Sequence, residues 1–259
     1  MINDVKVARA IIESFTRKLL DYLEVDVAIA GAGPAGLMAA YELAGDGYKV
    51  AVFEKRIAIG GGMWAGGIMF NEIVVQSEAR KILDELGVPY KQFDDYHFTA
   101  DAVLTMVTIA EKAMNAGAKI FNGMAVEDLV WNGERVQGFV INWGTIEPLG
   151  LPVDPIAVYA KYCIDATGHN AEVTAKLAMK NKVKLNTPTG GMMGEQSMFA
   201  LKGEMDVVEN TKEVYPGLIV AGMASNAVFG GHRMGPIFGG MLLSGKRAAE
   251  IIKAKIEGS

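Results

Sequence analysis

Gly31-Ala32-Gly33-Pro34-Ala35-Gly36 sets three glycines at the spacing GxGxxG. Between a strand and a helix that spacing has a defined use. One glycine allows the tight turn, one lets backbone approach a pyrophosphate, and the third lets helix and strand pack closely. The phosphates then meet free N–H groups at the helix N-terminus. Glu54 stands about 20 residues further on, at the end of the next apolar run, where a carboxylate accepts hydrogen bonds from a ribose. An acid there disfavours a ribose 2′-phosphate, so NAD or FAD fits better than NADP. Gly60-Gly61-Gly62 is a second place where backbone can come close to a ligand, although a mobile loop would read the same.

The chain has three histidines, His97, His169 and His232. His169 follows Gly168 just beyond an apolar run, at the carboxyl end of a strand, where open α/β sheets bind ligands. On spacing alone it reads as a histidine satisfied by hydrogen bonds. His97 and His232 read as surface or supporting groups. Arg233 lies in the glycine-rich stretch "GGHRMGPIFGG", with few acids nearby. A guanidinium there can grip a carboxylate through two parallel hydrogen bonds, or serve in a surface salt bridge. The one cysteine, Cys163, sits inside the apolar run of "YCIDATG", where a thiol is inert packing. A single cysteine excludes a disulfide framework and a cysteine metal cluster.

These residues need elements to hold them. "VDVAIAGAGPAG" reads as a buried strand, a glycine turn and a helix, and "YKVAVFEK" as the strand that ends near Glu54. "EARKILDELG" and "DAVLTMVTIAEKAMNAG" read as helices, the second stopped by Gly117. "AKIFNGMAVEDLVWNGERVQGFVINW" reads as strands, with a hairpin turn at Asn132-Gly133. "YCIDATG" and residues 217–222 read as further buried strands, and "GGMLLSGKRAAEIIKAKI" as a closing helix. Residues 181–215 read as irregular. Residues 4–23 read as an amphipathic helix, with Ile11, Ile12, Phe15 and Leu19 at helical spacing. Preceding the first strand, it is expected outside the sheet or against another subunit. Strands alternating with helices predict an α/β class, a doubly wound Rossmann-like FAD/NAD(P)-binding fold. The expectation is one dinucleotide-binding domain over 1–259, with an antiparallel β insert at about 118–150.

Composition agrees. The 259 residues are 51% hydrophobic, enough for a sizeable core. A net charge of −5 argues against a nucleic-acid surface. No apolar run reaches the roughly 18 residues of a membrane span. The first residues, "MINDVKVARA", lack a basic-then-apolar leader pattern, and the expected location is cytoplasmic. Fifteen methionines suit a Met-rich core or a pliable apolar surface.

Taken together, "GAGPAG", "FEK", "GGGMWAGG", "VDP", "DATGH" and "HRMGPIFGGM" resemble the thiamine thiazole synthase family over nearly the whole chain. The most specific parts are residues 60–67, Asp154-Pro155, Gly168-His169 and Arg233-Met234-Gly235-Pro236. The resemblance implies a flavoprotein-like fold that takes NAD as a substrate. It implies loss of nicotinamide, condensation of the ADP-ribose portion with glycine through an imine, and addition of sulfur to give an ADP-linked thiazole carboxylate. It assigns Asp154 and His169 as catalytic ligands of Fe(II) and Arg233 to the glycine carboxylate. It assigns the ADP portion to Gly31, Gly33, Pro34, Gly36, Glu54, Lys55, Gly61, Gly62, Val126 and Met223. It also implies a homo-oligomer, an octamer, whose other partners are the small molecules NAD, glycine and sulfide, with no nucleic acid and no membrane.

Two positions sharpen that expectation. After the last strand, where flavoproteins carry an acid for the ribityl chain, this sequence has Met223, so no FAD is expected. Fungal and plant members carry a cysteine two residues before the aspartate matching Asp154, and that cysteine surrenders its sulfur. Archaeal members are expected to have histidine there. This chain has Pro152, so sulfur must come from outside, most simply as sulfide. Asp154 and His169 also flank a strand, and segment 156–166 spans roughly 30 Å if extended. Either the chain doubles back, or the metal joins Asp154 of one subunit to His169 of its neighbour; the shared site is favoured. An FAD-dependent oxidoreductase, a ribose 1,5-bisphosphate isomerase and a non-catalytic ADP-ribose or NAD sensor are the alternatives.

Overall fold

The computed structural model describes residues 1–258, Glu147 by its backbone alone. In chain order the elements are α1 (Asp4–Asp21), β1 (Glu24–Ala30), α2 (Pro34–Gly45), β2 (Val50–Glu54), β3 (Glu72–Gln76), α3 (Ser77–Leu86), β4 (Tyr90–Gln92) and β5 (His97–Asp101). There follow α4 (Ala102–Asn115), β6 (Lys119–Asn122), β7 (Met124–Trp131), β8 (Val136–Trp143), α5 (Ile146–Leu149) and β9 (Ile156–Asp165). The chain continues with α6 (Glu172–Asn181), α7 (Ala200–Glu209), β10 (Lys212–Tyr215), β11 (Leu218–Val220), α8 (Met223–Phe229) and α9 (Gly239–Glu257).

Alternation along the strands builds two cores, one on each face of the main sheet. Val27 and Ile29 of β1, Val50 and Val52 of β2, and Ile164 of β9 point into one, with Leu37, Met38, Ile109 and Leu242 from α2, α4 and α9. Their neighbours Ala28, Ala30, Ala51, Phe53 and Cys163 point into the other, with Phe139, Leu177 and Val228. A strand covered on both faces reads as an unbroken apolar run, which is why β1, β2 and the second half of β9 were legible. The sheet order is β10-β11-β9-β1-β2-β6. β6, β2, β1, β9 and β11 pair in parallel, and β10 runs antiparallel at the edge.

The antiparallel insert starts later than expected. β6 is a parallel strand of the main sheet, and the antiparallel hairpin is β7–β8, joined through β8 to the first half of β9. Asn132 turns that hairpin: its side-chain oxygen accepts the N–H groups of Glu134 and Arg135 at 3.0 and 2.9 Å. A second antiparallel sheet, β3-β5-β4, was not anticipated.

Residues 181–215 are not wholly irregular, since they hold α7 and β10. Helix α7 has no side-chain cap and carries Gly203 at its centre, so its sequence lacks the usual helix signals. The glycine serves packing, because a methyl group there would lie 2.9 Å from the His232 carbonyl oxygen. The first helix ends at Asp21, and none of its residues is buried. It rests on the sheet through Phe15, edge-on to Phe121 with ring centroids 6.4 Å apart, and leaves Ile11 and Ile12 exposed. Among the described residues no helix is long and apolar enough to cross a membrane.

Candidate active site

Register brings the chemistry to one edge. Ala30 pairs with Phe53 on one side and Asp165 on the other, and Asp165 pairs with Val220. The ends of β2, β1, β9 and β11 therefore form one row. The residues just beyond it, Gly31, Glu54, Gly168 and Met223, open into a single cleft of about 1290 Å³.

The glycine turn works as its spacing implies. Gly31 has φ +97°, and a methyl group on it would lie 2.4 Å from the Ala166 carbonyl oxygen. A methyl group on Gly36 would lie 2.1 Å from the Gly31 carbonyl oxygen, so this glycine packs the helix under the turn and does not line the cleft. Gly33 has open space where a side chain would stand, at the N-terminus of α2. The second glycine run lies against the first. The Gly60 N–H donates to the Ala32 carbonyl at 2.7 Å, and Gly61 borders Gly33. Gly61, Gly62 and Pro34 all line the cleft.

Glu54 is 8% exposed, and its carboxylate accepts the N–H groups of Ala32 at 3.0 Å and Arg56 at 2.9 Å. Lys55 lines the cleft with its ammonium 2.5 Å from Glu172, and Val126 of β7 borders the same wall. Met223 begins α8, buried against Val207 and Met234, and offers the cleft a thioether.

His169 rides on a short 3₁₀ turn after β9. Asp165 ties the residue before that turn to the first turn of α6. One oxygen accepts from the Thr167 amide (3.1 Å) and hydroxyl (2.6 Å), and the other accepts from the Thr174 amide and hydroxyl, both at 2.8 Å. The His169 ring lines the cleft, with Nδ1 held by Glu195. Arg233 also lines the cleft and is exposed, with no salt bridge among the described residues.

Asp154 is elsewhere. It lies with Pro152 in an exposed stretch before β9, outside the cleft lining. Strand β9 runs unbroken between Asp154 and His169, so the chain does not double back. Among the described residues, no group of three or more His, Cys, Asp or Glu side chains could hold a metal ion. Cys163 is fully buried in the core behind the sheet, where burial pushes its thiol pKa up.

Sequence reasoning missed Glu195 and Asp165. Asp165 was hidden within an apolar run. Glu195 lies on an irregular segment 26 residues from its partner, where spacing carries no signal.

The Thi4 family profile matches residues 8–238. The chain belongs to the Thi4 family. Similar proteins include the thiamine thiazole synthase of Methanothermobacter thermautotrophicus, 53% identical over 256 residues and 99% of both chains. That of Pyrococcus abyssi is 54% identical, again over 99% of both chains. The crystal structure of Thermovibrio ammonificans THI4 matches with a TM-score of 0.97 at 54% identity, covering 99% of this chain and 100% of that one. A geranylgeranyl bacteriochlorophyll reductase-like protein from Thermoplasma acidophilum shares the fold alone, with a TM-score of 0.58 at 16% identity over 91% of this chain and 79% of its own. In this Thi4 chain, therefore, the glycine cradle, His169 and Arg233 share one cleft while Asp154 stands outside it.

Proposed function

We propose that the chain is a thiamine thiazole synthase that converts NAD, glycine and external sulfide to an ADP-linked thiazole carboxylate, with Fe(II), in a homo-oligomer. The observation that carries the reading is the composition of the cleft. A dinucleotide cradle with a ribose acceptor, Glu54, opens onto an anchored imidazole, His169, and a guanidinium, Arg233, with no salt bridge among the described residues. A simple nucleotide-binding module has no use for the last two.

Gly31, Gly33 and the N-terminus of α2 would hold the pyrophosphate, and Glu54 the adenosine ribose. Arg233 would grip the glycine carboxylate as a planar fork. Pro152 and buried Cys163 leave no accessible protein thiol, which supports external sulfide. The donor chemistry fits Fe(II), because His169 leaves Nε2 without a hydrogen bond among the described residues and Asp154 is an exposed carboxylate. Since β9 separates them within one chain, the reading takes Asp154 from a neighbouring subunit, and an octamer is the assembly expected. When bound, Fe(II) supplies Lewis acidity and open coordination positions.

The test is the mass of the small molecule released when purified protein is denatured. An ADP-thiazole or ADP-glycine imine mass supports the proposal. Stoichiometric FAD, seen by absorbance, overturns it in favour of a flavin oxidoreductase.

A further inference from the structure

His169 shows one nitrogen to the protein and the other to the cleft. Its Nδ1 lies 2.7 and 2.9 Å from the two carboxylate oxygens of Glu195, and its Nε2 has no hydrogen bond among the described residues. A carboxylate only accepts, so Nδ1 carries a proton, and in the neutral ring the lone pair is then on Nε2. The carboxylate is 18% exposed and the ring 50% exposed, so the anchor sits deeper than the group it holds.

Glu195 is itself fixed to the other functional loop. Its neighbour Gln196 donates its backbone N–H to Gly231 at 2.9 Å and its side-chain amide to Gly230 at 2.6 Å. The Arg233 N–H donates back to Gln196 at 3.2 Å. His169 and Arg233 come from different parts of the chain, and the 195–196 pair is a hydrogen-bonded path between them. Carboxylates of this kind choose the tautomer and fix the ring orientation of working imidazoles.

We propose that Glu195 is a positioning residue that holds His169 as the Nδ1–H tautomer, presents Nε2 to the cleft and sets the distance between that nitrogen and Arg233. The proposal rests on the metal-ligand role given to His169. Without Glu195 the ring can turn and offer either nitrogen. Glutamine would keep an acceptor for Nδ1–H, whereas alanine would not.

With three histidines in the chain, the nitrogen NMR signals of His169 can be separated from those of His97 and His232 by a His169→Ala control. In metal-free ¹⁵N-labelled protein, the wild type should show His169 protonated at Nδ1 alone, Glu195→Gln the same, and Glu195→Ala a mixture of tautomers. Fe(II) alone, titrated against a chromogenic chelator, should bind Glu195→Ala roughly ten- to a hundredfold more weakly than wild type. Glu195→Gln should recover most of that loss, and ADP-ribose affinity should stay unchanged in both variants. A folded Glu195→Ala protein with the wild-type tautomer and wild-type Fe(II) affinity overturns the proposal. Failure of wild type to bind Fe(II) would instead remove the metal reading, and the tautomer measurement would still decide the role of Glu195.

Discussion

The Glu54 carboxylate bridges the backbone N–H groups of Ala32 and Arg56, clamping the glycine turn to the end of the neighbouring strand. The same residue therefore braces the glycine turn and, in the proposed function, is also the ribose acceptor. Glu54→Ala should weaken ADP-ribose binding by about 1.5–3 kcal/mol, the worth of a hydrogen bond to a charged group. Calorimetric titration with ADP-ribose checks this. Unchanged affinity in a folded variant would reduce Glu54 to a brace.

Arg233 forms no salt bridge among the described residues. Arg233→Lys keeps the charge and loses the two-pronged grip. The efficiency of glycine use should fall roughly tenfold or more, while nicotinamide release from NAD changes little. Equal losses in both would give Arg233 another role.

Glu204 predicts a pH effect on stability. Burial pushes its carboxyl pKa up to about 7, above the ordinary glutamate value of 4.5, with Glu78 adding repulsion and the Gly240 N–H and Gln76 opposing. Its Oε2 accepts from Gly240 at 2.6 Å, while its Oε1 and the Oε1 of Gln76 are both buried without a donor. The sign follows. The folded state holds the Glu204 proton more tightly than the unfolded chain, so the contribution is complete below pH 4.5 and is lost as pH rises through about 7. Its full size is on the order of 3 kcal/mol. Melting temperature should fall between pH 5 and 8, and Glu204→Gln should flatten that slope. Parallel slopes in wild type and variant would contradict the assignment.

How much was legible follows from where each signal lives. The cradle and Glu54 could be read because Gly31, Gly33 and Gly36 act within one turn, and their acid ends the very next strand. Strands β1, β2 and the second half of β9 could be read because burial on both faces leaves continuous apolar runs. The β3-β5-β4 sheet was missed because β4 has only three residues, too few to show a period. Helix α8 was missed because it starts at Gly222 with no capping side chain, directly from the strand. The Glu195–His169 contact was invisible because it joins two loops, and no local pattern records which loops meet.

Asp154 and His169 offer a test by complementation. Asp154→Ala and His169→Ala should each lose thiazole formation while keeping ADP-ribose binding. Oligomers mixed from the two should regain part of the activity, because some interfaces then hold both intact ligands. No recovery, despite proven subunit exchange, would count against a shared site.

Pro152 and the burial of Cys163 make the sulfur source the central claim. The direct measurement supplies NAD, glycine, Fe(II) and isotopically labelled sulfide to purified protein, then records product mass, turnovers per chain and the mass of the chain afterwards. The account predicts labelled thiazole, many products per chain and an unchanged chain, with Cys163→Ser behaving as wild type. Unlabelled thiazole capped at one per chain, with mass lost from Cys163, would contradict it.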